Sequence, residues 1–175
     1  GKACKVFAFE PNPFTFASLS KNIILNGCAA DVTALNMALS DETRVAQFRY
    51  STLRSGAASH AVIKESGDAR IDGAHQRILC MRLDDAAKRF ALPPPSHMKI
   101  DVDGAELDVL DGSARTLARP ELSSILIEID ENKDSHARVL ALLENQGFVL
   151  LYKYAVHRPT SKIFNCVFER QTASR

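Results

Sequence analysis

Apolar and polar positions change their period several times along this chain. Lys5-Val6-Phe7-Ala8-Phe9 is a short apolar run closed by Glu10-Pro11-Asn12-Pro13, where two prolines deny a continuing strand its amide donors. A buried strand ending in a turn is predicted. From Phe14 to Asn26 apolar residues recur at helical spacing at Phe16, Leu19, Ile23 and Ile24, and Gly27 stands where a helix C-terminus is capped. That predicts a helix. Val32 to Asn36 reads as a second strand, and Met37 to Asp41 leads away from its carboxyl end.

The stretch 42–82 is less regular. Val45 to Tyr50 and Arg77 to Leu83 have strand character, and the polar Gly/Ser/His segment between them is expected to be an insertion with a mobile loop. A short helix capped by Asp84 is expected up to Ala91, stopped by Pro93-Pro94-Pro95. His97 to Val102 is a strand that ends in Asp103-Gly104. A helix from Ala105 to Leu117 follows, with Leu107, Val109, Leu110 and Leu117 inward. Ser123 to Ile129 is a further strand, and a helix from about Asp134 to Gln146 is stopped by Gly147. Phe148 to Ala155 and Lys162 to Glu169 are expected to pair as an antiparallel hairpin through Arg158-Pro159-Thr160. Strands alternating with helices argue for an α/β fold whose parallel sheet is covered on both faces.

Composition narrows the reading. Of 175 residues 46% are hydrophobic, enough for one core, so residues 1–175 are expected to form a single domain. Lys and Arg number 22 against 21 Asp and Glu, and this balance argues against a nucleic-acid or anionic-membrane partner. No apolar run is long enough to span a bilayer. Cys4, Cys28, Cys80 and Cys166 form no Cys-x-x-Cys pair and are expected to be small apolar core residues in a reducing, cytoplasmic setting. The chain begins without Met or a secretory leader and enters strand-like sequence almost at once, as a piece of a longer chain would.

In an open α/β sheet, ligands bind beyond the carboxyl ends of the strands. Acids stand there at Glu10, at Asp101 and Asp103, and at Glu128 and Asp130. Asp103, just before a helix, suits capping as well as catalysis. A single carboxylate at the end of a buried strand, about twenty residues before the next strand, is how such folds hold a ribose diol, and Glu10 has that place. The eight glycines never fall two apart, so neither G-x-G-x-x-G nor a P-loop can be written. The five histidines give no pair with metal-ligand spacing, and no metal is expected. His60, near Ser55-Gly56, would act as an acceptor-side base only if its loop closed over the crevice; a solvated loop histidine is the commoner case.

Four blocks, taken together, carry a resemblance. They are Val6-Phe7-Ala8-Phe9-Glu10-Pro11-Asn12-Pro13, then Asn36 to Asp41, then Lys99-Ile100-Asp101-Val102-Asp103-Gly104-Ala105-Glu106 with Val109 to Gly112, and finally Ile125-Leu126-Ile127-Glu128. In this order, over roughly residues 5 to 150, the chain resembles the FkbM-type methyltransferases. The resemblance implies a class I, Rossmann-like sheet, mostly parallel with a C-terminal antiparallel hairpin, and an S-adenosylmethionine-dependent O-methyltransferase. Its acceptor would be a small-molecule hydroxyl, such as that of a sugar or polyketide.

By that likeness Glu10 would hold the cofactor ribose, Pro11 and Asn12 would shape the turn beside it, and Asn36, Met37 and Ala38 would border the adenine. Asp101 would lie beside the methyl donor. Asp103 departs from the family, which more often has Glu there. The family also has a strand, glycine-rich loop and helix ahead of the Phe-Glu-Pro segment. This chain starts after them, so an N-terminally truncated chain or a rearranged sheet is expected. Methyl transfer needs alignment and removal of a hydroxyl proton. Asp101 is the first candidate base and Glu128 the second, while Lys99, two residues from Asp101, offers to neutralise it and make it structural. Two other classes stay open: a non-catalytic methyltransferase-like binding domain, and a nicotinamide-dependent oxidoreductase, whose ribose Glu10 would suit equally well.

Overall fold

The computed structural model describes residues 4–50, 61–63, 74–156 and 162–171. Two compact units divide the chain, Gly1–Met81 and Arg82–Arg175. Ser55, Gly56, His60, the turn 158–160 and the loop expected to be mobile lie outside the described residues.

In the first unit, β1 (Val6–Phe9) pairs in parallel with β2 (Val32–Leu35), Val6 opposite Val32 and Phe9 opposite Leu35. Between them runs α1 (Pro13–Leu25). Its start is set by sequence: Asn12 in extended conformation accepts from the amides of Phe14 at 2.9 Å and Thr15 at 3.4 Å, and Pro13 opens the helix where no amide is needed. Its end is set by Gly27 at φ +65°, a left-handed position that glycine takes without cost. Phe16, Leu19 and Ile23 are half-buried, but Ile24, expected to face inward, is 71% exposed.

Residues 42–82, expected as an irregular insertion, contribute most of a sheet. β3 (Ala38–Leu39), β4 (Arg44–Arg49), β5 (Ala61–Ile63) and β6 (His75–Met81) lie in the order β3-β6-β4-β5, with β3 parallel to β6 and β4 antiparallel to both of its neighbours. Alternation drives it, because Ala46 and Phe48 are buried while Val45 before them and Arg49 after them are exposed and Gln47 between them is half-buried. Ala38, Ala46, Phe48, Tyr50, Ile78 and Cys80 form one apolar cluster, with Val62 packed against it.

The second unit contains α2 (Leu83–Arg89), β7 (His97–Ile100), α3 (Glu106–Asp111), α4 (Ala114–Leu117), β8 (Ser124–Asp130), α5 (His136–Asn145), β9 (Phe148–Ala155) and β10 (Ile163–Arg170). Its sheet runs β7-β8-β10-β9: β7 and β8 are parallel, and β10 returns antiparallel to both β8 and β9, which makes the C-terminal hairpin. Ile125, Ile127 and Ile129 of β8 point to the core with Phe148, Phe168, Leu110, Leu117 and Leu143, and the residues between them are half-buried. Among the described residues parallel pairing is thus confined to β1–β2, β3–β6 and β7–β8, within an α/β fold of mixed sheets.

Two expectations are corrected here. The helix read across Ala105 to Leu117 is two helices, broken at Gly112-Ser113. Asp84 does not cap its own helix, whose N-cap is Arg82. Both corrections have one cause. The Asp84 carboxylate crosses to the start of α4 and accepts from Arg115 N at 2.7 Å, Thr116 N at 2.9 Å and Thr116 Oγ1 at 2.8 Å. The Asp84 amide donates back to the Gly112 carbonyl at 3.2 Å. A new helix start is therefore satisfied from outside, and the buried Ser113 hydroxyl donates to the Val109 carbonyl of the preceding turn.

The cysteines are divided. Cys80 and Cys166 are buried, and burial pushes both thiols above their ordinary value; Cys28 is half-buried, and Cys4, expected in the core, is exposed. Among the described residues no helix is long and apolar enough to cross a membrane.

Candidate functional site

The first unit places Glu10 directly beyond the carboxyl end of β1, where its amide continues the β1–β2 pairing by donating to the Leu35 carbonyl at 3.1 Å. One of its carboxylate oxygens, Oε1, accepts from the Asn12 amide at 2.7 Å. Asn12 is buried to 1% exposure and spends its side chain on α1. From the end of β2 the Asn36 side chain donates to the Glu10 carbonyl at 2.8 Å and the Pro11 carbonyl at 3.3 Å. The Glu-Pro-Asn-Pro turn is thereby held on both sides, and Glu10 is carried on a rigid base.

Of the three residues read as an adenine border, only Asn36 is exposed. Met37 is buried, and Ala38 packs in the apolar cluster with Phe48 and Cys80. The reason is β3, since Ala38 pairs with Cys80 and is drawn into that sheet.

In the second unit the β7–β8 register ends with Ile100 opposite Ile127, so Asp101 and Glu128 each come next beyond it, at the same level of the two parallel strands. Glu128 is half-buried and lies across β8 from the core isoleucines, opposite Asn165 of β10. Lys99 and Asp101 form an ion pair at 2.9 Å, with side chains 61% and 43% exposed. The pairing expected from their spacing is therefore present.

Beyond Asp101 the chain makes a tight left-handed turn, with Asp103 at φ +52° and Gly104 at φ +107°. A non-glycine residue in this region carries strain that its surroundings must hold. Two groups do so, and neither was singled out from sequence. Glu106, buried at 8% exposure, reaches back to accept from the Gly104 amide at 2.8 Å. Lys133, from the loop after β8, lies over Gly104 and donates to the Asp103 carbonyl at 3.4 Å. Asp-Gly-x-Glu could have signalled the first; nothing local to Lys133 signals the second. At the same end of β8, Glu131 pairs with Lys153 at 2.5 Å, and Lys153 also stands 4.0 Å over the Phe164 ring. That lysine's hydrogen bond holds the Glu131 carboxyl below its ordinary value. No group of three or more metal-ligating side chains occurs among the described residues.

The first unit provides a fixed carboxylate at the end of β1; the second, by itself, provides a carboxylate pair just beyond the β7–β8 pairing and a braced turn after β7. Comparison with known proteins agrees with the resemblance. The chain is similar to a methyltransferase, sdnD, of Sordaria araneosa, 31% identical over 170 residues, and to the hexuronic acid methyltransferase AglP of Haloferax volcanii, 30% identical over 129 residues. These matches cover 82% and 74% of this chain but 64% and 48% of those proteins, so the chain spans less than two thirds of the relatives it matches. The crystal structure of an FkbM methyltransferase from Methylobacillus flagellatus superposes with a TM-score of 0.58 at 14% identity, over 94% of this chain and 36% of that one, a likeness of fold. The family model of the Methyltransferase FkbM domain matches residues 1–150, and the chain belongs to that family.

Proposed function

We propose that this chain is the core of an S-adenosylmethionine-dependent O-methyltransferase that modifies a hydroxyl of a small molecule or sugar. The observation that carries the reading is the Glu10 turn. A half-buried acid stands beyond the carboxyl end of a parallel strand, with Asn12 and Asn36 bonded to its carboxylate and backbone. Such a group suits the hydroxyls of a ribose, each of which donates to a carboxylate. The residues present fit the nucleoside part of that cofactor; a glycine-rich loop for its amino-acid end cannot be written anywhere in this sequence.

When bound, the cofactor supplies an electrophilic methyl group on a sulfonium. The chain's own residues supply the rest. Asp101 takes the proton of the acceptor hydroxyl, and Lys99, bonded to its Oδ2, orients that carboxylate. Glu128, level with Asp101 on β8, is the second base and bonds the acceptor on the neighbouring strand. A positioned base contributes about 10²- to 10⁴-fold, and alignment of acceptor and donor contributes more. The name of the relative AglP favours an acidic sugar among the acceptor classes.

Titration calorimetry with S-adenosylhomocysteine tests the reading, on the chain together with whatever its gene encodes ahead of Gly1 and on Glu10→Ala in that background. A carboxylate bond to a hydroxyl contributes about 1.5–3 kcal/mol, so the variant should bind about 10- to 100-fold more weakly. Absence of binding by the unmodified protein would refute the enzyme reading and leave a methyltransferase-like binding domain.

A further inference from the structure

We infer that Lys133 selects the acceptor: its ammonium receives a carboxylate carried by an acidic hydroxyl substrate. The inference rests on the methyltransferase reading above and adds to it the residue that recognises the acid of the acceptor.

Among the described residues Lys133 is the lysine that is not exposed; Lys5, Lys21, Lys88, Lys99, Lys153 and Lys162 all are. Three of those exposed lysines have carboxylate partners, Asp31, Asp101 and Glu131. The half-buried Lys133 has none among the described residues, and its one hydrogen bond is the long one to the Asp103 carbonyl at 3.4 Å. An ammonium drawn partly out of water without an anion is held at a cost, and at least one of its three donors is left for a ligand.

The backbone that carries it is held on both sides. The Lys133 amide donates to the Asp130 carbonyl at 3.1 Å, and the Lys133 carbonyl accepts from both the amide (3.1 Å) and Nδ1 (2.9 Å) of His136. The side chain then crosses Gly104 so closely that a Cβ built there would lie 2.1 Å from Nζ and 3.2 Å from Cε. A side chain at 104 would push the ammonium aside. The ammonium therefore rests where the loops after β7 and β8 meet, at the carboxyl ends of two parallel strands, on the ligand side of such a sheet. A carboxylate suits a single ammonium, because one of its oxygens accepts the charge-assisted bond while the other is left to solvent.

The carboxylate could come from the acceptor or from the amino-acid end of the cofactor, and the experiment separates them. The full protein, Lys133→Met, Lys133→Arg and Gly104→Ala are each assayed for S-adenosylhomocysteine affinity by calorimetry. Each is then assayed for methyl transfer to methyl glucuronide and to the matching neutral glucoside. The wild type should prefer the glucuronide, through KM. In Lys133→Met the ratio of kcat/KM for glucuronide over glucoside should fall about tenfold or more, with cofactor-product affinity unchanged, and Lys133→Arg should restore part of it. Gly104→Ala, which displaces the ammonium, should lose the preference too. A wild type that binds S-adenosylhomocysteine yet shows no glucuronide preference overturns the inference. So does a Lys133→Met variant that loses cofactor-product affinity while keeping its acceptor ratio. A wild type that does not bind S-adenosylhomocysteine fails at the methyltransferase reading instead.

Discussion

Asp84 offers the sharpest test of how the second unit is held together. Its side chain is 2% exposed and accepts three hydrogen bonds from the first turn of α4, with the Arg115 guanidinium a further 3.5 Å contact. Truncation to Ala removes an N-terminal cap, which costs about 0.5–2 kcal/mol. It also leaves the buried Thr116 amide and hydroxyl without their acceptor, at about 1–3 kcal/mol for such groups. Relaxation returns part of this, so Asp84→Ala should lose about 3 kcal/mol. Asp84→Asn keeps one oxygen for Thr116 but turns an amide donor toward Arg115 N, and should lose about half as much. Arg115→Met should lose under about 1 kcal/mol, because that guanidinium is 65% exposed and exposed ion pairs contribute little.

Urea titration followed by circular dichroism reads these differences from the midpoints at constant slope, and in a chain of this size 3 kcal/mol corresponds to about 6–12 °C in Tm. An Asp84→Ala loss below about 1 kcal/mol would refute the capping argument. Equal losses in Asp84→Asn and Asp84→Ala would show that charge rather than acceptor geometry sustains the junction.

Arg170 closes the same unit from its other end. It donates from Nε to the Leu122 carbonyl, from Nη1 to that of Gln146 and from Nη2 to that of Leu117, and its guanidinium lies 4.3 Å over Phe148. Leu117 ends α4 and Gln146 caps α5, so one cation serves two helix C-termini. Arg170→Met should lose about 3 kcal/mol in the same titration and Arg170→Lys somewhat less; a loss under about 1 kcal/mol in Arg170→Met would contradict that role. Glu131 should titrate below its ordinary value of 4.5 because Lys153 bonds to it. With the folded value the lower one, the pair's contribution is present above the unfolded value and is lost as pH falls through the folded one. An NMR titration of the Glu131 carboxyl should show the depressed midpoint and its return in Lys153→Met; an undisplaced midpoint in the wild type would be contrary.

Much of this fold is written in local signals. The strands at Val6–Phe9, Val32–Leu35 and Ser124–Asp130 and the C-terminal hairpin follow from apolar runs bounded by Pro, Gly or polar residues. α1 announces both its ends, through Asn12-Pro13 and Gly27. What escaped were features settled by partners far away in sequence. The periodicity from Ala105 to Leu117 is good enough for one helix, and it is Asp84, some thirty residues earlier, that makes a break at Gly112-Ser113 favourable. Ala38 reads as part of a ligand-side loop until Cys80, far along the chain, pairs with it. Lys133 has no sequence signal at all, because its place is given by a missing side chain at Gly104.

The same distinction separates residues that act from residues that hold. A site acid identified by pattern alone can be either, but its hydrogen bonds tell which. Asn12 spends its side-chain oxygen on α1, Asn36 spends its amide on two carbonyls of the Glu10 turn, and Glu106 lies buried with an oxygen on the Gly104 amide. These three hold backbone in place, and their conservative substitution should act through geometry. Asp101 stands exposed at the end of its strand with Lys99 on one oxygen, and Glu128 stands level with it on β8. Lys133 combines the two conditions, its backbone consumed on both sides and its ammonium nearly unspent. With the Lys133 backbone already ordered, less freedom remains to be lost when its ammonium meets an anion.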